Sequence, residues 1–411
     1  MPTTSPAARR RLAVGLGLTI LAAACTGGDD DAAPTTTMSP TTTTIVERVN
    51  DGVLKVGAYL PLTGPGAAFG PPMIDALSDA VDVINAAGGV LGEEVEFIQR
   101  DEGAVAIEEL LAEGVDAIVG PASSLVALSS LGAAVDQSTG VVTCSPMATA
   151  LALDDYPDRG DYFFRTAPSD SLQMLTIARQ AERTGAQMVA VGYLDDPYGR
   201  GLEKSFDDAM GDRLPVMSVG FSADQDDLSG VAAELLAEDP AVVVVLGDAD
   251  DGSRLLAALD ATNDSPQVLI NDSIRQARAV IQSLSPAFRD RLTGHAPLSE
   301  SPVENGPPGF FVGHAVDCLN LIALAVMDAG SDDPSEFRRA VSAVSAGGRR
   351  CTGFESCAAS VQENFEIDYN GFSGPVDLSA VTGDPVRALF ETFQFDDDGN
   401  EIPRSPIDTS S

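Results

Sequence analysis

The side chains that could carry covalent or metal chemistry are few in this chain. His295 and His314 are the only histidines in 411 residues, so a histidine-based triad or zinc site has little to draw on. The patterns G-x-S-x-G, H-E-x-x-H and C-x-x-C do not occur. Gly371-Phe-Ser-Gly374 lacks the spacing of a nucleophile elbow, and Asp396-Asp-Asp-Gly-Asn-Glu401 supplies only part of a calcium loop and reads as a hairpin turn. No catalytic residue, metal-ligand set or cofactor is expected. Cysteine is the remaining reactive type. Cys351 and Cys357 flank five residues and could close a small disulfide loop. Cys144 and Cys318 lie in apolar runs and read equally as buried thiols or as a second bridge.

Non-covalent chemistry is better served. Val53-Leu-Lys-Val-Gly-Ala-Tyr-Leu60 is a short apolar run that suits a buried strand. Residues 61–70 then hold too much glycine and proline for regular structure, and Ile74, Leu77, Val81 and Ile84 recur at helical spacing before Gly88-Gly89 stops the helix. A glycine-rich loop between strand and helix commonly offers backbone N–H groups to an anion, but GxGxxG and the P-loop lysine are both missing, which speaks against a nucleotide.

The elements that must position such a site follow in βαβα order, the rhythm of parallel sheets. Buried strands are expected at Gly114-Val-Asp-Ala-Ile-Val-Gly120, Gly140-Val-Val-Thr-Cys144, Met188-Val-Ala-Val-Gly-Tyr193, Ala241-Val-Val-Val-Val-Leu246 and Gln267-Val-Leu-Ile270. Helical stripes cover 172–184, 202–210, 228–237, 253–261 and 310–329. Gly247-Asp-Ala-Asp-Asp-Gly252 falls at a strand's carboxyl end, where open α/β sheets place ligands, although a solvated loop accounts for Asp248 equally.

Arg9-Arg10-Arg11 precedes the largely apolar residues 12–24, in the charge order and length of a secretory signal too short to span a bilayer. The stop at Ala22-Ala-Ala-Cys25 resembles the lipobox of bacterial lipoproteins, which implies cleavage before Cys25 and a diacylglycerol on its thiol. Leu21 lies one place further from the cysteine than that pattern prefers, so plain secretion stays open. Thr, Pro, Gly and Asp dominate the stretch that follows, which has almost nothing to pack and reads as a flexible tether. The rest is longer than one core usually serves, so two lobes are expected. A formal charge of −38, from 62 acidic against 24 basic residues, would repel phosphates and argues strongly against nucleic acid as a partner.

Taken in order, several segments resemble one family. They are 56–92, Gly120-Pro-Ala-Ser-Ser124, Ser145-Pro-Met-Ala-Thr149, Phe164-Arg-Thr166, Asp196-Pro-Tyr-Gly-Arg-Gly201 and Tyr369-Asn-Gly-Phe-Ser-Gly-Pro375. They look like the leucine/isoleucine/valine-binding proteins, substrate-binding components of branched-chain amino acid ABC importers. The resemblance implies a type I periplasmic-binding-protein fold: two Rossmann-like lobes with parallel sheets, joined by three crossovers and closing on a small molecule like a hinge. The layout it implies is a signal at 1–24, a lipid-anchored tether at 25–52, lobe one at 53–166 and 300–374, lobe two at 167–297 and 378–402, and a flexible tail at 403–411. It further implies a monomer outside the cytoplasm, held at the membrane by Cys25 and serving ABC permease subunits, with no enzymatic activity. A sensor that signals to a membrane partner is the alternative.

By the same resemblance, Ser124 meets the carboxylate of an amino acid, and Thr149 contacts both ends of the zwitterion with help from the Met147 carbonyl. Asp272 pairs with the ammonium in place of the family's usual glutamate, one methylene shorter. Tyr198 and Phe69 stand where the family puts aromatic residues beside the ligand. Two departures weaken any assignment to leucine, isoleucine or valine. The loop and helix between Arg100 and Leu110 are shortened, and Asp248 and Ala249 replace aromatic residues.

Overall fold

The computed structural model describes residues 50–410 apart from 65, 137–139, 155, 157–161, 263 and 301–309. Cys25, the expected leader and most of the expected tether lie outside the described residues. The first sheet is parallel. It is built from β1 (Lys55–Leu60), β2 (Glu96–Asp101), β3 (Ala117–Val119), β4 (Val142–Ser145) and β5 (Phe163–Arg165), in the order β2-β1-β3-β4-β5. β1, β3 and β4 are buried along almost their whole length because helices cover both faces. The helix Gly70–Ala86 turns Met73, Leu77, Val81 and Ile84 into that core. The helix Val312–Ala329 is long and apolar enough to cross a bilayer, but every residue from Val312 to Val326 is buried in protein, which makes it the central helix of lobe one.

The second lobe holds β6 (Val189–Leu194), β7 (Val216–Phe221), β8 (Val242–Leu246), β9 (Gln267–Ile270) and β10 (Leu292–Pro297). The chain then returns to lobe one and forms a small sheet of β11 (Arg349–Thr352), β12 (Ile367–Gly371) and β13 (Gly374–Pro375). It finally adds β14 (Leu389–Phe395) and β15 (Glu401–Asp408) to lobe two, giving the order β15-β14-β10-β9-β8-β6-β7. β6 to β10 run parallel, while β14 lies antiparallel to both β10 and β15. Leu255 and Leu256 cover one face of this sheet, and Met174, Ile177, Leu202 and Phe206 cover the other. Such double cover explains why β8 is an unbroken run of valine and leucine.

Two bridges fix lobe one. Cys144 at β4 joins Cys318 on the central helix, and Cys351 on β11 joins Cys357 on the following helix, with Cα–Cα separations of 5.6 and 5.2 Å. The open question over Cys144 and Cys318 is thus resolved as a disulfide.

Two assigned boundaries need correction. Residues 403–408 belong to strand β15 and not to a flexible tail. Pro403 and Pro406 hid it, since proline donates no ladder hydrogen bond, and the strand tolerates both because it is the edge of its sheet. Residues 378–385, placed in lobe two, pack on lobe one. Leu378 sits in its core, its N–H donates to Ser345 Oγ at 3.0 Å, and Asp384 pairs with Arg165.

Candidate functional site

The lobe-one wall is made where β3 and β4 end. Gly120 adopts φ +128°, and an added Cβ would lie 2.0 Å from the Tyr59 carbonyl oxygen, so only glycine lets the chain leave β3 this closely. A cis bond to Pro121 follows. Ser123, not Ser124, caps the helix Ser124–Ala134, its Oγ accepting from Val126 N at 3.4 Å. Ser124 is the first helical residue, and its Oγ accepts from Ala150 N at 3.3 Å, which leaves the hydroxyl proton to point elsewhere. Beneath this turn Glu102, 7% exposed, accepts from Ala122 N at 2.7 Å and Ser123 N at 3.0 Å. Burial pushes its carboxyl up to about 7 despite those two bonds. Ser145 shapes the next turn by donating to the Pro121 carbonyl at 2.6 Å and accepting from Ala148 N at 3.0 Å. That turn delivers Thr149.

The opposite wall is acidic. Ser169 caps the helix Asp170–Arg183. Asp170, 3% exposed, receives a hydrogen bond from the Thr149 hydroxyl and donates its own N–H to the Thr149 carbonyl at 2.9 Å. Burial and then the neighbouring Asp272 push the Asp170 carboxyl up to about 7. Asp272, 5% exposed, lies just past β9 and is raised by burial against hydrogen bonds from Gln173 and Ser273. Tyr198 stands in the first turn of the helix Pro197–Met210, whose cap Asp196 accepts from Gly199 N at 2.7 Å. The Tyr198 hydroxyl bonds Ser273 Oγ at 3.0 Å and accepts from Asn271 Nδ2 at 3.2 Å. Burial, then Asp170 and Asp272, drive its phenol well above the usual range.

The nearest cations are already matched. Arg165 pairs with Asp154 and Asp384, and Arg275 with Glu391 and Glu401. The cleft therefore sets a hydroxyl and a helix N-terminus on one side against two buried carboxylates on the other, an arrangement complementary to a zwitterion. The walls also meet directly, for a Cβ added at Gly201 would lie 3.5 Å from Leu151 Cδ1.

Thr149, Tyr198 and Asp272 thus come together, and Ser124 joins them through the Ala150 amide. Phe69 and Met147 are partly buried, each with its side chain packed on the lobe-one core, and Phe69 lies 5.4 Å from Phe310 at the head of a row that continues to Phe311 and His314. Phe310 also borders a small cavity shared with Arg275, Gln276, Pro297 and Ser299. Asp248 is a helix cap, accepting from Asp251 N at 2.8 Å. The amides of Leu62 and Thr63 in the glycine-rich loop are taken by the Asp101 carboxylate. Ser373 is buried and donates to buried Asp317. Among the described residues no cluster of histidine, cysteine or carboxylate could hold a metal.

Asp170, Gln173 and Asn271 were not singled out from the sequence. An acid directly after a serine at a helix start has a sufficient local explanation in capping and dipole, so only the fold reveals that Asp170 faces Thr149 and Asp272.

A family model described as periplasmic binding protein matches residues 53–297. The chain is 27% identical over 365 residues to the chemotactic signal transduction system substrate-binding protein BasB of Halobacterium salinarum, covering 82% of this chain and 87% of that one. It is 28% identical over 315 residues to the leucine-, isoleucine-, valine-, threonine-, and alanine-binding protein of Pseudomonas aeruginosa, covering 71% and 82%. The solved isoleucine complex of the branched-chain amino acid transporter substrate binding protein LivJ from Streptococcus pneumoniae superimposes with a TM-score of 0.65 at 20% identity, covering 87% and 99%.

Proposed function

The chain belongs to the periplasmic binding protein family, and from that premise we propose that it captures an amino acid between its lobes and passes it to the permease of an ABC importer. The observation that carries this reading is the pair of buried carboxylates, Asp170 and Asp272, with Tyr198, set opposite the Ser124 helix N-terminus. Ser124 donates its hydroxyl and N–H to the ligand carboxylate. Thr149 and the Met147 carbonyl bridge the two ends, and Asp170, Asp272 and Tyr198 receive the ammonium. Phe69, with Phe310 behind it, walls the side chain. Closure turns on crossovers near Thr166 and Pro297 and on the short stretch between Pro385 and Leu389 that leads into β14, and the monomer hangs from the outer face of the membrane by lipidated Cys25.

The similarity to an amino-acid-binding relative from Pseudomonas supports this ligand class. A thermal-shift screen of residues 50–410 against α-amino acids, amides and aromatic acids tests it. Ligand at a hundred times Kd stabilises by about 2.7 kcal/mol. Hits confined to compounds without an ammonium would refute the zwitterion reading. Labelling with radioactive palmitate tests the anchor, and Cys25→Ser should abolish incorporation.

The likeness to BasB favours a second reading, in which the loaded protein signals to a membrane receptor. Crosslinking in intact cells decides between them: capture of permease subunits supports import, and capture of a receptor supports sensing.

A further inference from the structure

Arg165 is completely buried, yet every group of its guanidinium leads to a different part of the hinge. Nε reaches Asp384 Oδ1 at 2.6 Å, in the lobe-one segment that leads into the last crossover. Nη2 reaches Asp154 Oδ1 at 2.6 Å. Nη1 donates to the carbonyls of Ala148 and Ala150, both at 3.3 Å, which flank Thr149 on either side. Asp154 in turn accepts from Ser169 Oγ at 2.7 Å through its other oxygen, and Ser169 is the cap that starts the Asp170 helix. The planar fork of arginine can hold this many partners in fixed geometry, and lysine cannot.

We propose that Arg165 is the positioning residue of the cleft. One guanidinium fixes the turn that carries Thr149, fixes through Asp154 and Ser169 the orientation of Asp170, and ties both to the segment that leads into the last crossover. The idea rests on the reading of Asp170 as a seat for the ligand's ammonium. It makes the two lobe-facing groups, Thr149 and Asp170, a single preformed unit that moves with the hinge.

Four charged or titratable groups face Asp170: Asp272, Arg165, Asp154 and the Tyr198 phenol. Arg165 favours the ionised carboxylate, whereas Asp272 and Asp154 oppose it. Changes at the two ends of the Arg165–Asp154 pair must therefore move the Asp170 titration in opposite directions, and Arg165→Lys, which keeps the charge but loses the fork that holds the Thr149 turn and Asp154, must still displace it.

The test is carboxyl ¹³C NMR of aspartate-labelled, detergent-solubilised full chain without ligand, the Asp170 resonance being identified by its loss in Asp170→Asn. Arg165→Gln should raise the midpoint by half a pH unit or more, and Asp154→Asn should lower it. Unchanged midpoints, or shifts of the same sign, would overturn the proposal. Should Arg165→Gln fail to fold, the direction in Asp154→Asn decides alone. The ligand-free titration keeps the two ideas separable. Opposite shifts with no α-amino acid bound would retain the positioning role and remove the ligand assignment.

Discussion

Glu102 gives a prediction whose size can be worked out. Its carboxyl rises from an ordinary 4.5 to about 7 because burial outweighs two backbone hydrogen bonds. A carboxyl with a raised native value binds its proton more tightly when folded, so wild-type stability falls as pH climbs from 4.5 through 7. The ionised form is disfavoured by about 3 kcal/mol above that window, at 1.36 kcal/mol per pH unit. Glu102→Gln removes this dependence. It also leaves one of the Ala122 and Ser123 amides without an acceptor, at about 1–3 kcal/mol at every pH. The lost bond cancels when the variant is compared with wild type at two pH values, and what remains is a relative gain for the variant of about 2.5 kcal/mol between pH 5 and pH 8.5. Urea unfolding of both proteins at those two pH values measures it. An equal stability difference at both would refute the assignment of a strained, buried carboxylate under the Ser124 turn.

Thr149→Ala should weaken amino-acid binding by about 1–3 kcal/mol, because it strips a hydroxyl from the buried Asp170 carboxyl, and calorimetry would show it; unchanged affinity would void the residue mapping. His295 and His314 are buried and held near 4, so the unfolded chain takes up protons below 6.5 that the native state refuses. Each should therefore cost about 3 kcal/mol as pH falls from 6.5 to 4, and His314→Leu should lose acid sensitivity relative to wild type in pH-dependent melts. The Cys144–Cys318 bridge spans a sequence separation of 174, so the double alanine variant should unfold with about 5 kcal/mol less stability in the chain-entropy model, measured by denaturant titration. Tyr198→Phe should weaken binding, but less than Thr149→Ala, since the hydroxyl that receives the ammonium is also shared with Ser273 and Asn271; unchanged affinity would remove the phenol from the ligand's partners.

Apolar strands were legible in the sequence because doubly covered parallel strands leave no polar face to confuse them. β8 and β9 fall within a residue of their expected bounds. β2 was missed, for Glu-Phe-Ile-Gln-Arg-Asp is half exposed and carries no apolar run. β15 was missed because two prolines at an edge look like a tail. In the cleft, Thr149, Tyr198 and Asp272 were reachable through family resemblance, since each lies in or beside the turn that follows a strand. Asp170 was not, because its helix-start position needs no ligand to explain it. Nor was the Cys144–Cys318 bridge, whose partners are brought together only by packing the central helix on β4.

The central claim is that the cleft holds both ends of a zwitterion, the ammonium between Asp170 and Asp272. Calorimetric titration of the best-binding α-amino acid against the same acid with hydrogen in place of its ammonium tests this most directly. Loss of charge-assisted hydrogen bonds and exposure of two buried carboxylates without a cation should weaken binding by at least about tenfold, near 1.5 kcal/mol or more. Equal or tighter binding of the deaminated acid would contradict the account.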